Sequence, residues 1–583
     1  MLKGALKKFS QGSLAKDKKA LLLIVLGSIS WCITMVKSGV IYSFGMGFWG
    51  ANGHDGIWHL ALINSLSKGS LEMPVFAGHM IQNYHIGFDL LIAVVHRLTS
   101  IPAFQLYFQI APPVMAILIG AFVYVFVKKW KGSAQALWAI FFVYFGGDLG
   151  WIITFLRDKN FGGESTFWGQ QAVSTLVNPP LALSVLVIFL GLILIWKIKT
   201  KFTLLNYLFG IFLFGSLFEI KAYAGILVLG GLFVAGLYEL FREKKTNFIK
   251  LFVGSTAVSL IVFAIFSRNS TFPFIFQPFW FLESMVASYD RLNWPKLAEA
   301  MASYKSQGVL SKFILAYLFA FVIFWIGNMS SRLLGSVYVA NKIVKRLKSL
   351  DSFDVFFIVV IFGGVAIPTL FLQKSTAWNT IQFFYYSLVF AGVLGGIFIG
   401  DLFSKKNRRS LVIFLSVLIV LFTVPTSLST LVNNYIPGRP PAKVSIDELS
   451  ALSFLSKQED GVVLTFPFDK EAADRAINNP PRPLYLYAST SYVAALSNKQ
   501  VFLEDDGSDG NLDIMGFDWK ERRDVVAKFF ETLDRGEAVK FLSNNNITYI
   551  YLVKAQNINL NEKGLGLDNI FENSEVIIYK VIK

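Results

Sequence analysis

Eleven stretches of the chain are apolar over the length that a membrane crossing needs. They begin near residues 20, 104, 133, 180, 203, 222, 251, 311, 354, 380 and 409, and as helices they cover the roughly 30 Å of a bilayer's hydrocarbon. One further apolar stretch, YHIGFDLLIAVVHRL (Tyr84 to Leu98), has only 15 residues and carries His85, Asp89, His96 and Arg97. Its length and charges predict an interfacial or re-entrant helix rather than a span. After residue 443 the pattern changes. SIDELSALSFLSKQ and ERRDVVAKFFETLDRGEAVKFL read as helices, whereas GVVLTFPF, ITYIYLVK and SEVIIYKVI read as strands, the last preceded by a polar turn in FENSE.

Positive charge gives these spans a direction. Basic clusters stand at the N-terminus, at Lys128/Lys129/Lys131, Lys197/Lys199/Lys201, Arg242/Lys244/Lys245, Lys342/Lys345/Arg346/Lys348 and Lys405/Lys406/Arg408/Arg409. Eleven spans put all of them in the cytoplasm, as the positive-inside rule asks, provided Tyr84 to Leu98 does not cross. The N-terminus is then cytoplasmic and retained, since no small-residue cleavage site follows it. Residues 42–103, 148–179, 219–222, 268–310, 373–379 and everything after 431 face outward. The linker IPGRPPAK (Ile436 to Lys443) separates a membrane domain, 1–435, from an extracytoplasmic α/β domain, 444–583.

Composition narrows the class. Of the 583 residues 54% are hydrophobic and 16% charged, with a mean hydropathy of +0.54, which excludes a soluble protein. A net charge of +16 would suit nucleic acid, but its basic residues sit between spans as topology signals, so no nucleic-acid partner is expected. Cys32 is the only cysteine, which excludes an intrachain disulfide or a cysteine-based zinc site.

The candidate chemistry lies in the outer segments. All five histidines (His54, His59, His79, His85, His96) fall in the first, beside Asp55 in GFWGANGHDGIWHLALINSL. Gly50, Gly53 and Gly56 let the backbone turn and uncover the Asp55 carboxylate. Asp55, Trp58, His59 and Leu62 share one helical face, which predicts an amphipathic helix lying on the bilayer. Asp55 is read either as a general base or metal ligand, or as a helix cap. Asp148 in FGGDLGW follows the same Gly-acid pattern and either pairs functionally with Asp55 or terminates a helix. Glu164 reads as a solvated loop acid.

Two polar mouths stand at span ends: Glu219 and Lys221 in FEIKAYAG, and Lys374, Trp378, Asn379 and Gln382 in FLQKSTAWNTIQFFYY. Ionisable groups in apolar sequence are costly and mark function, and either lysine suits a phosphate; for Lys374 snorkelling to headgroups is the alternative. The aromatic loop FPFIFQPFWFLESMVASYDRLNWPKLAEAMASY can flank an acyl chain or anchor in the interface. GxxxxGK[ST], HExxH and GxSxG are all missing from the sequence, which argues against ATP-driven transport and familiar hydrolase chemistry.

In layout the chain resembles the GT-C superfamily of membrane glycosyltransferases. The resemblance rests on a first span followed by an outer-loop acid (Asp55 in GHDGIWH), the stretch NYHIGFDLLIAVVHRLTSIP, the basic turn KKWKG, a second acid (Asp148 in GGDLGW) and an outer α/β domain. It implies transfer of a hexosyl or pentosyl group from a polyprenyl-phosphate donor to a hydroxyl of a glycan, lipid or protein acceptor, on the outer side of the cytoplasmic (inner) membrane. It assigns Asp55 and Asp148 as catalytic acids, and as ligands of a divalent cation, Mg or Mn. His54, His59, His85, Glu219, Lys221, Lys374, Trp378, Asn379 and Gln382 would then contact substrate. GGD departs from the paired-acid motif of the oligosaccharyltransferases, which leaves metal dependence open. A transporter or flippase for lipid-linked sugars is the competing reading. It requires ionisable groups near mid-span on broken helices, whereas those here cluster at outer ends.

Overall fold

In the computed structural model of the protein the described residues are 17–266, 274–346, 350–374, 376–404, 409–507, 510–531, 534–558 and 560–582. Lys3, Lys7, Lys8, Lys16, Lys348, Lys405, Lys406, Arg408 and the start of the 268–310 loop lie outside them. The chain forms two compact units. The first comprises residues up to Thr34, Pro113–Ile265 and Phe272–Ile436; the second comprises Met35–Pro112 and Pro437–Lys583.

All eleven apolar runs are helical. Among the described residues seven helices are long and apolar enough to cross a membrane, or nine if two bent pairs each count as one. The first run forms a 15-residue helix, Lys18–Cys32, and another shorter apolar helix covers Leu204–Ile220. This is an integral membrane protein. Helix starts follow the capping chemistry of the sequence. Asp17 accepts from the Ala20 N–H, Asn178 caps the helix whose first residues are Pro179 and Pro180, and Asp351 with Asp354 forms a capping box. Within the first unit the nearly buried helix Gln382–Ser404 packs on Ser133–Phe145, Leu333–Arg346 and Ser352–Leu370. Gly396 and Gly400 allow the close approach to Ser133–Phe145, since a Cβ at either would overlap the backbone of Ala139 or Gln135.

The two bent pairs are Ser133–Phe145 with Gly150–Asp158, and Arg409–Thr423 with Pro425–Tyr435, bent by 43° and 44°. Their breaks bond to each other. The Gly147 N–H donates to the Thr423 carbonyl (2.8 Å), and the Thr426 hydroxyl donates to the Asp148 carbonyl (3.0 Å). Backbone groups freed by a break in an apolar surrounding need such partners.

The second unit joins the first outer loop to the C-terminal segment. Its larger sheet runs in the order Leu567–Glu572, Val576–Val581, Ile547–Val553, Val462–Thr465, Gln500–Val501. The last three strands are mutually parallel, and the first two form a hairpin around FENSE. A smaller sheet pairs Val40–Tyr42 and Gly45–Phe48 with Ala442–Val444 and Arg482–Pro483. Local pattern carries no sign of this pairing between distant segments.

The helix that begins at Asp55 does not lie on the bilayer as its spacing predicts. Asp55–Ser67 is buried on every side, with Ile57, Trp58, Leu60, Ala61, Leu62 and Ile63 at most 2% exposed. It packs against Gly87–Thr99 and Tyr492–Ser497, so protein covers the face expected to meet lipid. Gly87–Thr99 itself has 13 residues, about 20 Å, too short to cross, and it exposes Leu90, Leu91, Val94 and Leu98.

Candidate functional site

In the second unit the turn before Asp55 is pinned by Ser38, whose hydroxyl oxygen accepts from the Trp49 N–H (3.0 Å) and from the Asn52 side chain (2.9 Å). A short 3₁₀ turn, Gly50–Gly53, follows, with Gly50 at φ +58°. Asp55 is then the first residue of its helix, and His54 occupies the cap position without a side-chain capping bond. The cap reading of Asp55 therefore fails. Its carboxylate lies 2.7 Å from His54 Nδ1, and the two side chains are 47% and 37% exposed. An acid here is also favoured by the positive end of the helix. Burial opposes charge on the His54 ring, but Asp55 and Asp505 outweigh it and raise its pKa to about 9.

Asp505 escapes the sequence reading. It sits in the acidic run Glu504-Asp505-Asp506 just past Gln500–Val501, at φ +61°, and is 1% exposed. Its Oδ2 accepts from the Asn511 N–H (2.8 Å), and Oδ1 has no partner among the described residues. Burial raises its pKa to about 7, with His54 acting in the opposite direction. The readable signal was the acid-glycine run LEDDGSDG after the apolar VF.

The other histidines of the loop differ. His59 is 5% exposed and its Nδ1 lies 2.7 Å from Asp89 Oδ1, with the Tyr107 ring stacked at 5.8 Å. The pair is held inside the unit, away from solvent. His85 is half-buried beside the Tyr84 ring (4.7 Å).

In the first unit Asp148 occupies the break between Ser133–Phe145 and Gly150–Asp158 and is 2% exposed. Its Oδ1 accepts from the Gly150 N–H (2.8 Å). Arg332, 1% exposed, donates to the carbonyls of Gly147 (3.1 Å) and Asn328 (2.8 Å) and bears its charge toward Asp148. Sequence reasoning missed Arg332, the lone cation of GNMSSRL. Glu164 is half-buried rather than solvated. Asn434 donates to its carboxylate (3.0 Å), burial raises its pKa, and nearby Arg291, stacked on Trp168 at 3.6 Å, opposes the rise.

Lys221 lies in the same unit at an extended residue between Leu217–Ile220 and Ala222–Tyr238, 4% exposed. Its Nζ donates to Asn178 Oδ1 (3.3 Å). Asn178 donates in turn to Gln382 Oε1 (3.3 Å), and Gln382 donates to Asn379 Oδ1 (3.1 Å). The structure thus gathers Lys221, Gln382 and Asn379 through Asn178, which sequence reasoning did not name although Asn-Pro-Pro signals a cap. Lys374 and Trp378 are exposed and Glu219 is half-buried. Among the described residues no three His, Cys, Asp or Glu side chains gather in a way that could hold a metal ion.

No family model and no curated protein matches the sequence. Solved structures do match. Archaeal oligosaccharyltransferase AglB from Archaeoglobus fulgidus, in complex with an inhibitory peptide and a dolichol-phosphate, superposes with a TM-score of 0.50 at 12% identity, covering 94% of this chain and 70% of that one. The likeness is one of fold. The A. fulgidus oligosaccharyltransferase tethered with an acceptor peptide containing the NVT sequon gives a TM-score of 0.50 at 11% identity, covering 98% of this chain and 75% of that one. Its apo form gives 0.50 at 12% identity, covering 93% and 70%.

Proposed function

We propose that this protein is a membrane glycosyltransferase of the GT-C type. It moves a sugar from a polyprenyl-phosphate donor to an acceptor hydroxyl on the extracytoplasmic side of the cytoplasmic membrane, with eleven spans and an outward C-terminal domain. The observation that carries the reading is Asp55: a half-exposed carboxylate at the start of a rigid, buried helix, in a chain with the oligosaccharyltransferase fold. One of those neighbours holds an inhibitory peptide and a dolichol-phosphate and another a tethered acceptor peptide, which supports a lipid-phosphate donor here and a glycan, lipid or protein acceptor.

Asp55 accepts the proton of the acceptor hydroxyl as its oxygen attacks the anomeric carbon. The bond from that carbon to the phosphate oxygen breaks, and the electron pair leaves with the polyprenyl phosphate. Direct displacement inverts the centre and needs one base and no covalent intermediate. His54 beside Asp55 orients it. Lys221 and Lys374 stabilise the departing phosphate, Asn178, Gln382 and Asn379 hold Lys221 in place, and Trp378 and Glu219 flank that mouth. Asp148 positions its helix break rather than touching the sugar. Asp55 and Asp148 are each a carboxylate of the kind that could hold a divalent cation, which would supply charge neutralisation at the phosphate. Within each unit, however, Asp55 faces His54 and Asp148 takes the Gly150 N–H, and no step above passes through a cation.

The test is to reconstitute the protein with a panel of polyprenyl-phosphate sugars, with and without Mg or Mn, and follow the donor by mass spectrometry. Donor consumption that disappears in Asp55→Asn, with the melting temperature unchanged, supports the assignment. Consumption that survives Asp55→Asn removes Asp55 from the chemistry. One observation favours the alternative, a flippase: the buried Lys221 sits at a helix break. Lipid scrambling in vesicles without transfer would decide for it.

A further inference from the structure

In the second unit the first outer loop crosses the edge of the larger sheet. Val501, in the edge strand, donates to the Pro74 carbonyl (2.7 Å) and accepts from the Ala77 N–H (3.0 Å). Beside the crossing lies a groove of about 460 Å³, lined from the loop by Phe76, His79 and Gln82 and from the start of Trp519–Glu531 by Asp518, Glu521 and Arg522. That volume falls within the roughly 300–1,000 Å³ of small-ligand sites.

Arg522 is the fixed point of this groove. Its guanidinium lies over the Phe76 ring at 3.5 Å and the Phe502 ring at 4.5 Å. Nη1 donates both to the Ala77 carbonyl (2.9 Å) and to the Phe502 carbonyl (2.8 Å). These contacts hold the group in place but use only one nitrogen, and the Nε–Nη2 edge has no partner among the described residues. Nor do they bring a counter-charge. The adjacent Arg523 faces Asp506 at 3.5 Å, whereas Arg522 forms no ion pair among the described residues. Burial, unopposed by any carboxylate, pushes its pKa down to about 10. A half-buried guanidinium is costly to leave without an anion, and this one is held ready on the wall of an open groove.

We infer that the groove binds a hexuronate, a sugar residue whose carboxylate takes the Nε–Nη2 edge of Arg522. A carboxylate matches that edge with two parallel N–H···O bonds. The exposed Asp518 and Glu521 carboxylates discriminate between anions. They repel a phosphomonoester, of charge about −1.5 to −2, more strongly than a singly charged carboxylate, and they accept from the hydroxyls that a sugar ring carries beside its carboxylate. Gln82 and Asn545, whose amides both donate and accept, line the same groove. Burial and then the Arg522 charge push the His79 pKa down. The exposed His79 ring, backed by Phe76 at 4.9 Å, therefore offers a neutral face to the C–H groups of the sugar. An acidic peptide fits less well, because an extended chain binds a sheet through main-chain bonds along a free edge, and at this edge the loop already takes them. That the hexuronate belongs to the acceptor rests on the transferase reading; its binding does not.

Saturation-transfer NMR on the full chain in nanodiscs, without donor lipid, tests the site with the methyl glycosides of glucuronic, galacturonic and mannuronic acid. At least one is expected to receive saturation, and methyl glucoside, glucose 6-phosphate and a blocked acidic tripeptide are expected to bind about tenfold more weakly than it does. Arg522→Gln is expected to weaken glycuronide binding by about tenfold or more. Gln82→Glu, which adds a like charge to the groove wall, should weaken it by about threefold or more, while Lys68→Gln, on a different groove, leaves it unchanged. Should Arg522→Gln fail to fold, Gln82→Glu carries the test. Absence of saturation from all three glycuronides overturns the inference, as does equally tight binding of methyl glucoside, glucose 6-phosphate or the tripeptide, or affinity unchanged in the folded variants. Binding is read without turnover, so a protein that binds glycuronides and transfers nothing keeps this site and loses only the catalytic reading.

Discussion

Asp55 and Asp148 look alike in sequence: each follows glycines, precedes apolar residues and opens an outer segment. Their environments differ sharply. Asp55 is 47% exposed and faces His54, whereas Asp148 is 2% exposed, is bonded to the Gly150 N–H and stands near the Arg332 guanidinium. Glycine before an acid creates room, but the neighbours decide whether that room goes to a reactant or to a structural bond. A carboxylate that must take a proton from a substrate needs access. One that fastens a helix break needs burial and donors.

The largest expected effect is on turnover. Asp55→Asn should lower donor consumption by about a hundredfold or more without lowering the melting temperature, measured by mass spectrometry and by thermal melts of the purified protein. Unchanged turnover would erase the contrast between the two acids. Next, Arg332→Met removes the buried cation near Asp148 and should cost about 3–5 kcal/mol, read as a large drop in melting temperature in detergent. Adding Asp148→Asn should restore part of that loss, because the two charges are coupled. If the double variant melts no higher than the single one, the pairing is irrelevant to stability.

The second unit should respond to pH in one direction. Burial raises Glu504 from 4.5 to about 8 and Asp505 from 3.8 to about 7. The folded form keeps protons that the unfolded chain has released, so stability falls as pH rises from about 4 toward 8. His54 has the same sign: the charge raised from 6.5 to about 9 stabilises fully below 6.5 and is lost as pH rises through 9. Hydrogen exchange at the Val493 and Ala494 amides, which donate to the Glu504 carboxylate, followed from pH 5 to 9 and corrected for intrinsic rates, should show protection decreasing monotonically. A maximum near pH 8 would contradict both assignments. The smallest effect is that of Asp148→Asn alone. The amide oxygen still accepts from Gly150, so stability should fall by only about 1 kcal/mol and turnover should stay within tenfold of the parent. A loss equal to that of Asp55→Asn would make Asp148 a second reacting group.

Much of the membrane fold was legible because it is local. Each apolar run became a helix, though not each at the length of a span, and helix starts follow the local capping chemistry of Asp17, Asn178 and the Asp351 box. The strands GVVLTFPF, ITYIYLVK and SEVIIYKVI also formed. The lodging of Asp55–Ser67 inside the second unit was readable but misread. DGIWHLALINSL is apolar on all sides, the mark of a buried helix rather than an interfacial one. Asp505 was beyond local reading, since its left-handed backbone, its unsatisfied oxygen and its nearness to His54 arise only in the folded unit. The same holds for Arg332, whose partners are main-chain carbonyls that carry no residue signature.

The pairing of Gly45–Phe48 with Ala442–Val444 sets the timetable of biosynthesis. Met46 bonds across to Val444, so an early strand waits for a partner synthesised about 400 residues later. At ~5–20 residues per second that interval is roughly 20–80 s. Throughout it the nascent outer loop presents an unpaired edge to its surroundings, a known invitation to wrong pairing, and the second unit cannot close until nearly every membrane helix has been made.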